Sequence, residues 1–300
     1  MRVCITGANC FIGFPLVKKA SELGWDVIAV IRRGNKCKLQ LEQIKNVTVI
    51  ELNLEEYVHL GKMTGYVDCL VMLAWGGVRG ELRNDAVLQR SNYEYCLAGI
   101  NSIIEYGCKR VLTAGSQAEY GIVNGIINEE TPCNPVNEYG KYKLELYKSV
   151  SNICRKKEIT HIEPRIFSIY GPGDYEGSLI MSIINKMRNN EVCELTQCTQ
   201  VWDYLYIDDA VEALSILCQE GASGVYNLGN GRCRKLFEFV KEMKVVLRSE
   251  SVLKFGAIPY GVNGMIGIEP CVDKIQKEIK WKAKKTFRDG IKAIIDFQVK

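Results

Sequence analysis

The sequence predicts an α/β fold in which a doubly wound parallel sheet is covered by helices on both faces. Short β-branched runs alternate with stretches of helical length through the first half of the chain, and such repetition is typical of a parallel sheet. The runs VCIT, VIAVI and CLVML are continuously apolar, as expected of strands with both faces buried. After Tyr170 the pattern becomes irregular, which predicts a smaller, discontinuous C-terminal lobe.

The elements of the first half follow one another regularly. Strands are predicted at 2–6, 26–31, 47–51, 69–73, 110–114 and 161–167, and helices at 14–23, 90–106 and 139–154. We expect residues 1–170 to form the sheet domain, to which residues 202–228 return. Residues 171–201 and 229–300 are expected to form the substrate-binding lobe.

Composition narrows the class of function. The 300 residues carry a formal charge of only +4 and contain no long run of like charges, so nucleic acid is a poor candidate partner. The 13 cysteines are scattered singly without any C-x-x-C, which favours small buried residues of a reduced protein over a metal site. No charged leader precedes the first strand and no apolar stretch approaches the ~20 residues of a membrane span. We therefore expect a cytoplasmic protein with no membrane partner and no metal.

A glycine loop follows the first predicted strand. The segment TGANCFIG opens the first helix, which is the position of a dinucleotide-binding fingerprint. In that motif, glycines let backbone N–H groups approach a pyrophosphate at the positive end of the helix. We expect a Rossmann-type fold with cofactor contacts from Gly7, Asn9, Cys10, Phe11, Ile12 and Gly13. Cys10 replaces the middle glycine, a departure that a small side chain makes tolerable.

The ordered series of motifs resembles the extended short-chain dehydrogenase/reductase family, which contains sugar-nucleotide epimerases, dehydratases and reductases. The resemblance runs nearly end to end, through TGANCFIG, the Asn92 of SNYEY, GSQAEYG, ETPCNPVNEYGKYK, PRIFSIYGPGD, VWDYLYIDDA, GVYNLGNG and DKIQKEIKW. It implies that Ser116, Tyr139 and Lys143 are catalytic and that Asn92 supports them from a neighbouring helix. It also implies a homodimer through the helices at 90–106 and 139–154.

The resemblance extends to the two ligands. It implies further cofactor contacts from Asn53, Leu54, Leu73, Ala74, Trp75, Ile166 and Phe167. It implies substrate contacts from Gln117, Ser168, Ser178, Leu179 and Trp202. Trp202 stands where many relatives carry a diphosphate-binding arginine, so Arg188 or Arg232 is expected to supply that charge.

The catalytic residue types suit proton and hydride transfer on chemical grounds. Tyr139 and Lys143 stand at i and i+4 and therefore share one helix face. An ammonium close to a phenol favours the phenolate form, which suits the phenol to proton transfer. Ser116 can hold the reacting oxygen while hydride moves between its carbon and a nicotinamide. For His59 and His161 we expect structural roles.

The residues after Ser116 limit the reaction. Relatives that eliminate water carry acid–base groups there, because elimination needs a base at one carbon and an acid at the leaving hydroxyl. Here those positions are Gln117 and Ala118, which cannot transfer protons. Glu119 follows, and we expect it to point elsewhere. The sequence therefore predicts a hydride-transfer site without elimination machinery.

The end of the second strand bears on the cofactor. An NAD site places an acidic residue there, about 20 residues after the glycines. This chain has Ile31 at that position, then Arg32 and Arg33, with no carboxylate before Glu42. The pattern favours NADP(H) over NAD(H), because arginine can bind a 2′-phosphate.

The cofactor prediction and the resemblance of RIFSIYGPGD and VWDYLYIDDA together favour one activity. We expect an NADPH-dependent reductase of a nucleoside-diphosphate 4-keto-6-deoxyhexose, serving deoxysugar biosynthesis for surface polysaccharide. An NAD-dependent nucleotide-sugar 4-epimerase is the first alternative. A catalytically silent NADP(H)-binding module is the second.

Overall fold

The structure, a computed structural model, describes residues 1–261 and 265–298. Its strands are β1 (Arg2–Thr6), β2 (Asp26–Ile31), β3 (Val47–Glu51), β4 (Cys69–Met72), β5 (Arg110–Thr113), β6 (Gly115–Ser116), β7 (Thr160–Ile166), β8 (Ile169–Tyr170), β9 (Cys193–Leu195), β10 (Val201–Trp202), β11 (Leu205–Tyr206), β12 (Gly224–Leu228), β13 (Arg234–Lys235) and β14 (Leu253–Phe255). Its α-helices are α1 (Gly13–Glu22), α2 (Lys38–Glu42), α3 (Leu60–Thr64), α4 (Ala86–Glu105), α5 (Glu138–Lys156), α6 (Leu179–Arg188), α7 (Ile207–Glu220), α8 (Leu236–Leu247), α9 (Asp273–Ile279) and α10 (Phe287–Gln298). Short 3-10 helices lie at Leu54–His59, Gly80–Asn84 and Gln117–Glu119.

The central sheet is parallel and of Rossmann type, as predicted. Its strand order is β12-β7-β5-β4-β1-β2-β3, with the short β6 paired to β7. Each pairing along this path is parallel. The chain runs outward from β1 through β2 and β3 and then returns to β4 on the other side of β1. The carboxyl ends of β1 and β4 therefore form the crevice in which open α/β sheets bind ligands.

Helices bury both faces of the sheet, which explains why its strands are continuously apolar. On one face α4 and α5 contribute Cys96, Ile100, Leu146 and Val150 to a core shared with β1, β4 and β5. On the other face α1 and α7 pack against each other and bury Leu16, Val17, Ala210 and Leu214. Because β12 pairs with β7 in the central sheet, its Tyr226 and Leu228 join the core on the α1 and α7 face.

Outside the central sheet and the helices that cover it lie short paired strands and the helices α6, α8 and α10. The pairs are β8 with β11, β9 with β14, and β10 with β13, and α8 packs against α6 and α10. Aromatic contacts among Tyr170, Tyr204, Phe239 and Phe287 join these pieces, with ring centroids 4.7–5.8 Å apart. The predicted domain boundaries stay a prediction, and residues 262–264 and 299–300 of the predicted lobe lie outside the described residues.

Predicted and observed bounds differ at functionally useful places. The predicted strands include Leu73, Ala114 and Phe167, but the observed strands end one residue earlier. These residues leave the ladder at the carboxyl edge and line a cavity instead. Helix α4 begins at Ala86 rather than residue 90, because the Asp85 side chain accepts the Leu88 N–H at 3.0 Å and caps it.

The structure shows the state of the cysteines and whether its helices could cross a membrane. All 13 cysteines are free thiols, and most are buried. No group of three or more His, Cys, Asp or Glu side chains within residues 1–261 and 265–298 could hold a metal ion. None of the helices in those same ranges is long and apolar enough to cross a lipid bilayer.

Candidate active site

A cavity of about 510 Å³ opens at the carboxyl edge of the sheet. Its inner side is formed by residues 10–12 of the glycine loop, Leu73, Trp75, residues 114–117, and Tyr139 and Lys143 of α5. Its outer side is formed by Arg79, Arg83, Asp174, Ser178, Leu179 and Trp202. The two sides bring together many of the predicted residues: Cys10, Phe11, Ile12, Leu73, Trp75, Ser116, Gln117, Tyr139, Lys143, Ile166, Phe167, Ser168, Ser178, Leu179 and Trp202.

The glycine loop has the backbone that a dinucleotide site requires. Gly7 adopts φ +65°, and a Cβ there would lie 3.0 Å from the Ala74 nitrogen. A Cβ on Gly13 would lie 2.2 Å from the Gly7 carbonyl oxygen, so helix α1 can begin against the loop only without a side chain. These two glycines make the tight turn and the close helix packing of the fingerprint. A nicotinamide dinucleotide therefore fits the loop.

Cys10 lies at the cavity with its backbone in the turn. Its Sγ accepts the Gly13 N–H at 3.2 Å. Surrounding protein raises the pKa of the Cys10 thiol, against the opposing effect of the Gly13 and Ile12 N–H groups. The Cys10 side chain thus takes part in the turn, and its tolerance in place of glycine stays a prediction.

Ser116 is fixed at the end of β6 by its own turn. Its hydroxyl oxygen accepts the Ala118 N–H at 3.2 Å, and its backbone N–H donates to the Glu119 carboxylate at 2.7 Å. Because the hydroxyl oxygen is an acceptor here, its own hydrogen remains available to a ligand in the cavity. Gln117 lines the cavity next to it.

Tyr139 and Lys143 stand on the first turns of α5, which Asn137 caps by accepting the Gly140 N–H at 2.8 Å. The Lys143 ammonium donates to the Ala114 carbonyl at 2.8 Å and lies 4.0 Å from the centroid of the Trp75 ring. It is 5.9 Å from the centroid of the Tyr139 ring. Both side chains are at least nine-tenths buried. The phenol and the ammonium therefore share one cavity with Ser116.

Asn92 is placed behind the cavity rather than in it. Its side-chain amide accepts the Gly76 N–H at 3.0 Å and donates to the Gly76 carbonyl at 2.9 Å. These paired bonds hold the segment after β4, which carries Trp75. The predicted supporting position is consistent with this geometry, and a catalytic role for Asn92 stays a prediction.

Glu119 lies below the cavity in a buried ion cluster. It is fully buried, and its second carboxylate oxygen accepts from the Arg165 guanidinium at 2.9 Å. Glu163 lies 3.3 Å from the same guanidinium. Burial and the neighbouring Glu119 carboxylate raise the pKa of Glu163 well above its usual range. Glu119 does not line the cavity, so it points away as expected.

The loop after β2 makes contacts with carboxylates that the local sequence does not predict. Arg33 forms a two-pronged ion pair with Glu56, at 2.9 and 2.6 Å. Register places Glu51 beside Ile31, and its carboxylate accepts the Gly34 N–H at 2.9 Å. The loop itself contains no carboxylate, as the sequence shows, but neighbouring segments bring Glu51 and Glu56 to it. Arg32 is exposed and has no ion-pair partner among the described residues.

The remaining predicted cofactor residues lie beside the cavity. Asn53 caps the 3-10 helix that begins at Leu54, and its side-chain oxygen accepts the Arg33 N–H at 3.3 Å. The predicted residues that do not line the cavity are Gly7, Asn9, Gly13, Arg32, Arg33, Asn53, Leu54, Ala74 and Asn92.

The arginines that line the cavity are not the two that the sequence predicted. Arg188 donates to Gln298 at 2.7 Å and Arg232 to the Ala283 carbonyl at 3.3 Å, and neither lines the cavity. Sequence reasoning missed Arg79, which directly precedes the 3-10 helix Gly80–Asn84, and Arg83, which lies within it. Their spacing in VRGELRN was the available signal, but nothing local shows that this segment folds over the cavity.

Comparison with known proteins identifies the family. Residues 3–229 match the model of the NAD dependent epimerase/dehydratase family. The chain belongs to this family. It is therefore an enzyme of the NAD-dependent oxidoreductase and epimerase type, and the resemblance to sugar-nucleotide enzymes is confirmed at that level.

Individual relatives differ in activity. Protein CapI of Staphylococcus aureus is 25% identical over 99% of this chain and 98% of its own length. The dTDP-6-deoxy-L-talose 4-dehydrogenase (NAD(+)) of Aggregatibacter actinomycetemcomitans is 27% identical over 81% of this chain and 89% of its own. A UDP-glucose 4-epimerase of Thermotoga maritima, solved with UDP-glucose, superimposes with a TM-score of 0.86 at 21% identity over 100% and 99% of the two chains. At that identity the structural match supports the fold alone.

Proposed function

We propose that the protein reduces the 4-keto group of a nucleoside-diphosphate-linked 4-keto-6-deoxyhexose with NADPH. The observation that carries this proposal is the inner side of the cavity. It combines Ser116, Tyr139 and Lys143 with the non-titrating Gln117, while Glu119 is held in a buried ion cluster. Such a site supports hydride transfer but lacks the acid–base pair that elimination requires.

The chain's own residues have distinct roles in this proposal. Ser116 donates its hydroxyl hydrogen to the 4-keto oxygen and orients the carbonyl. Tyr139 transfers its phenolic proton to that oxygen as the carbon is reduced, and Lys143 stabilises the phenolate that remains. The nicotinamide supplies the hydride when bound. The glycine loop would hold its pyrophosphate through backbone N–H groups.

Arg32 supports NADP(H) as the cofactor. It is exposed at the end of β2, beside the expected adenosine ribose position, and no described carboxylate pairs with it. A guanidinium in this position suits a 2′-phosphate. The family description names NAD, so this preference is a proposal about this chain's own arginine.

A redox-neutral 4-epimerase that retains NAD is the second candidate. Arg33 is already neutralised by Glu56, and Glu51 adds another carboxylate near the same loop, which weakens the case for a 2′-phosphate site. The family description, which names NAD and epimerases, supports the same alternative. Both candidates use Ser116, Tyr139 and Lys143, and they differ in whether cofactor is consumed.

The test is a panel of nucleotide-linked 4-keto-6-deoxyhexoses and 4-hydroxyhexoses, incubated with NADPH or NADH. Nicotinamide absorbance and product configuration are followed together. Oxidation of one NADPH per product supports the reductase. Interconversion of C4 epimers without net cofactor change replaces it with the epimerase, and cofactor binding with no turnover on the whole panel would leave only a silent binding module.

We also propose that the protein forms a homodimer through α4 and α5. These helices pack side by side, and Tyr93 and Ser149 hydrogen bond between them at 3.0 Å. Sedimentation at micromolar concentration gives the check. A monomeric mass there contradicts the dimer without affecting the proposed reaction.

A further inference from the structure

Arg83 has an unusual environment on the outer side of the cavity. Its guanidinium carbon lies 4.8 Å from the centroid of the Tyr139 ring. Its Nε is buried and has no hydrogen-bond partner among the described residues. A buried donor without an acceptor is costly and rare in folded proteins. The position next to the proposed catalytic phenol suggests that the missing acceptor belongs to a ligand.

The other charges around the cavity do not supply that acceptor. Lys143 is bonded to the Ala114 carbonyl and covered by Trp75. Arg79 pairs with Asp174 at 3.4 Å and stacks on the Tyr175 ring at 4.7 Å. Asp174 is the carboxylate that lines the cavity within the described ranges, and Arg79 already engages it. Arg83 forms no ion pair with any described carboxylate.

Trp202 provides a second donor of the same kind. Its indole Nε1 is also buried without a described partner, and the residue lines the same cavity. Indole N–H groups normally find an acceptor when buried. Two donors that lack acceptors, Arg83 Nε and Trp202 Nε1, therefore border one space, and no described carboxylate forms an ion pair with Arg83.

We propose that Arg83 is a substrate-binding residue that takes an anionic oxygen pair of the nucleotide sugar close to the reacting carbon. This inference rests on the proposed class of substrate and adds the group that recognises it. A guanidinium binds carboxylate or phosphate through two parallel N–H···O bonds. In the proposed 4-keto-6-deoxyhexose substrate the oxygen pair belongs to the diphosphate, because that sugar has no carboxylate. A nucleotide hexuronate would offer a sugar carboxylate as the other source of the same chemistry, and the experiment distinguishes the two. Either would complete the coordination that the protein leaves open.

The experiment compares Arg83→Gln and Arg83→Lys with the unmodified protein by calorimetry and steady-state kinetics. The probes are UDP and dTDP alone, nucleoside diphosphates linked to an uncharged hexose, and a nucleoside diphosphate linked to a hexuronate. Arg188→Gln is the matched control, since it removes an arginine whose observed contact is Gln298. Loss of a charge-assisted pair corresponds to roughly a 10- to 100-fold loss in affinity.

We expect Arg83→Gln to raise Kd and KM by that factor with a smaller change in kcat, and Arg83→Lys to recover part of it. A loss shared by all probes assigns the diphosphate, and a loss confined to the hexuronate assigns the carboxylate. Equal affinity of Arg83→Gln and unmodified protein for every probe that binds overturns the inference. Failure of the unmodified protein to bind any probe would instead count against the proposed substrate class.

Discussion

The inner and outer sides of the cavity differ in how completely the protein satisfies their polar groups. On the inner side, Ser116, Lys143 and Cys10 all have hydrogen-bond partners within the chain. On the outer side, Arg83 Nε and Trp202 Nε1 are buried without a described partner. Under the proposed function, the inner side is preorganised for hydride and proton transfer, whereas the outer side leaves two donors for the substrate to satisfy. Catalysis and specificity are thus separated between the two sides.

The largest expected effect is on the inner side. Tyr139→Phe removes the acidic hydroxyl while keeping the ring that contacts Trp75 and Arg83. Turnover should fall by about 100- to 10,000-fold, the usual contribution of general acid catalysis, while cofactor affinity is kept. Single-turnover rates and cofactor titration measure the two quantities. More than about a tenth of the parental rate would contradict the assigned proton transfer.

The next largest effect concerns the buried ion cluster that lies behind Ser116 on the inner side. Glu119 and Glu163 both approach the buried Arg165, so Gln at one position leaves the other to pair with it. Replacing both carboxylates leaves the buried Arg165 charge without a partner, which typically costs about 3–5 kcal/mol in the free energy of unfolding. Urea denaturation of both single variants and the double variant measures the free energy of unfolding of each and gives the coupling between the two carboxylates. Additive small losses would show that Arg165 does not depend on these carboxylates.

Cofactor choice is expected to respond less strongly. Arg32→Asp should shift the ratio of kcat/KM for NADPH over NADH by at least 10- to 100-fold, because it removes a charge-assisted bond and adds repulsion. Arg33→Gln is the matched control and should change the ratio less, because Glu56 already holds that guanidinium. A parent enzyme that prefers NADH, or that purifies with NAD bound, would favour the epimerase.

The sequence predicts the inner side well because local rules determine it. Gly7 needs a positive φ, Gly13 allows no Cβ, and the i, i+4 spacing places Tyr139 and Lys143 on one face. These constraints act within a few residues and are visible as motifs. The parallel sheet then brings the ends of separate strands together.

The outer side depends on contacts between distant segments. Arg79 meets Asp174 across 95 residues, and no periodicity indicates that pairing. Likewise, Glu51 and Glu56 reach the loop after β2 from β3 and the following 3-10 helix. Arg188 and Arg232 were expected to bring positive charge to the cavity, but they do not line it, for the same reason. Tertiary placement, rather than residue type, decides which arginine reaches the cavity.

The smallest expected effect separates the required glycines from the replaceable one. Cys10→Gly removes a Cβ from the glycine loop and loses the Sγ bond to the Gly13 N–H. Cofactor affinity should stay equal or rise, while added backbone freedom lowers the free energy of unfolding by about 0.5–1 kcal/mol. Gly13→Ala is the contrasting variant, because its Cβ would lie 2.2 Å from the Gly7 oxygen; it should lose cofactor binding.

For each variant, calorimetry with the cofactor measures cofactor affinity and thermal unfolding measures stability. Cys10→Ser keeps a Cβ and an acceptor for the Gly13 N–H, so it should match the parent in both. A ten-fold or greater loss of cofactor affinity in Cys10→Gly, with Cys10→Ser unchanged, would show that the side chain at position 10 shapes the phosphate site. The inner side would then depend on a feature particular to this chain, and its preorganisation would no longer follow from the backbone alone.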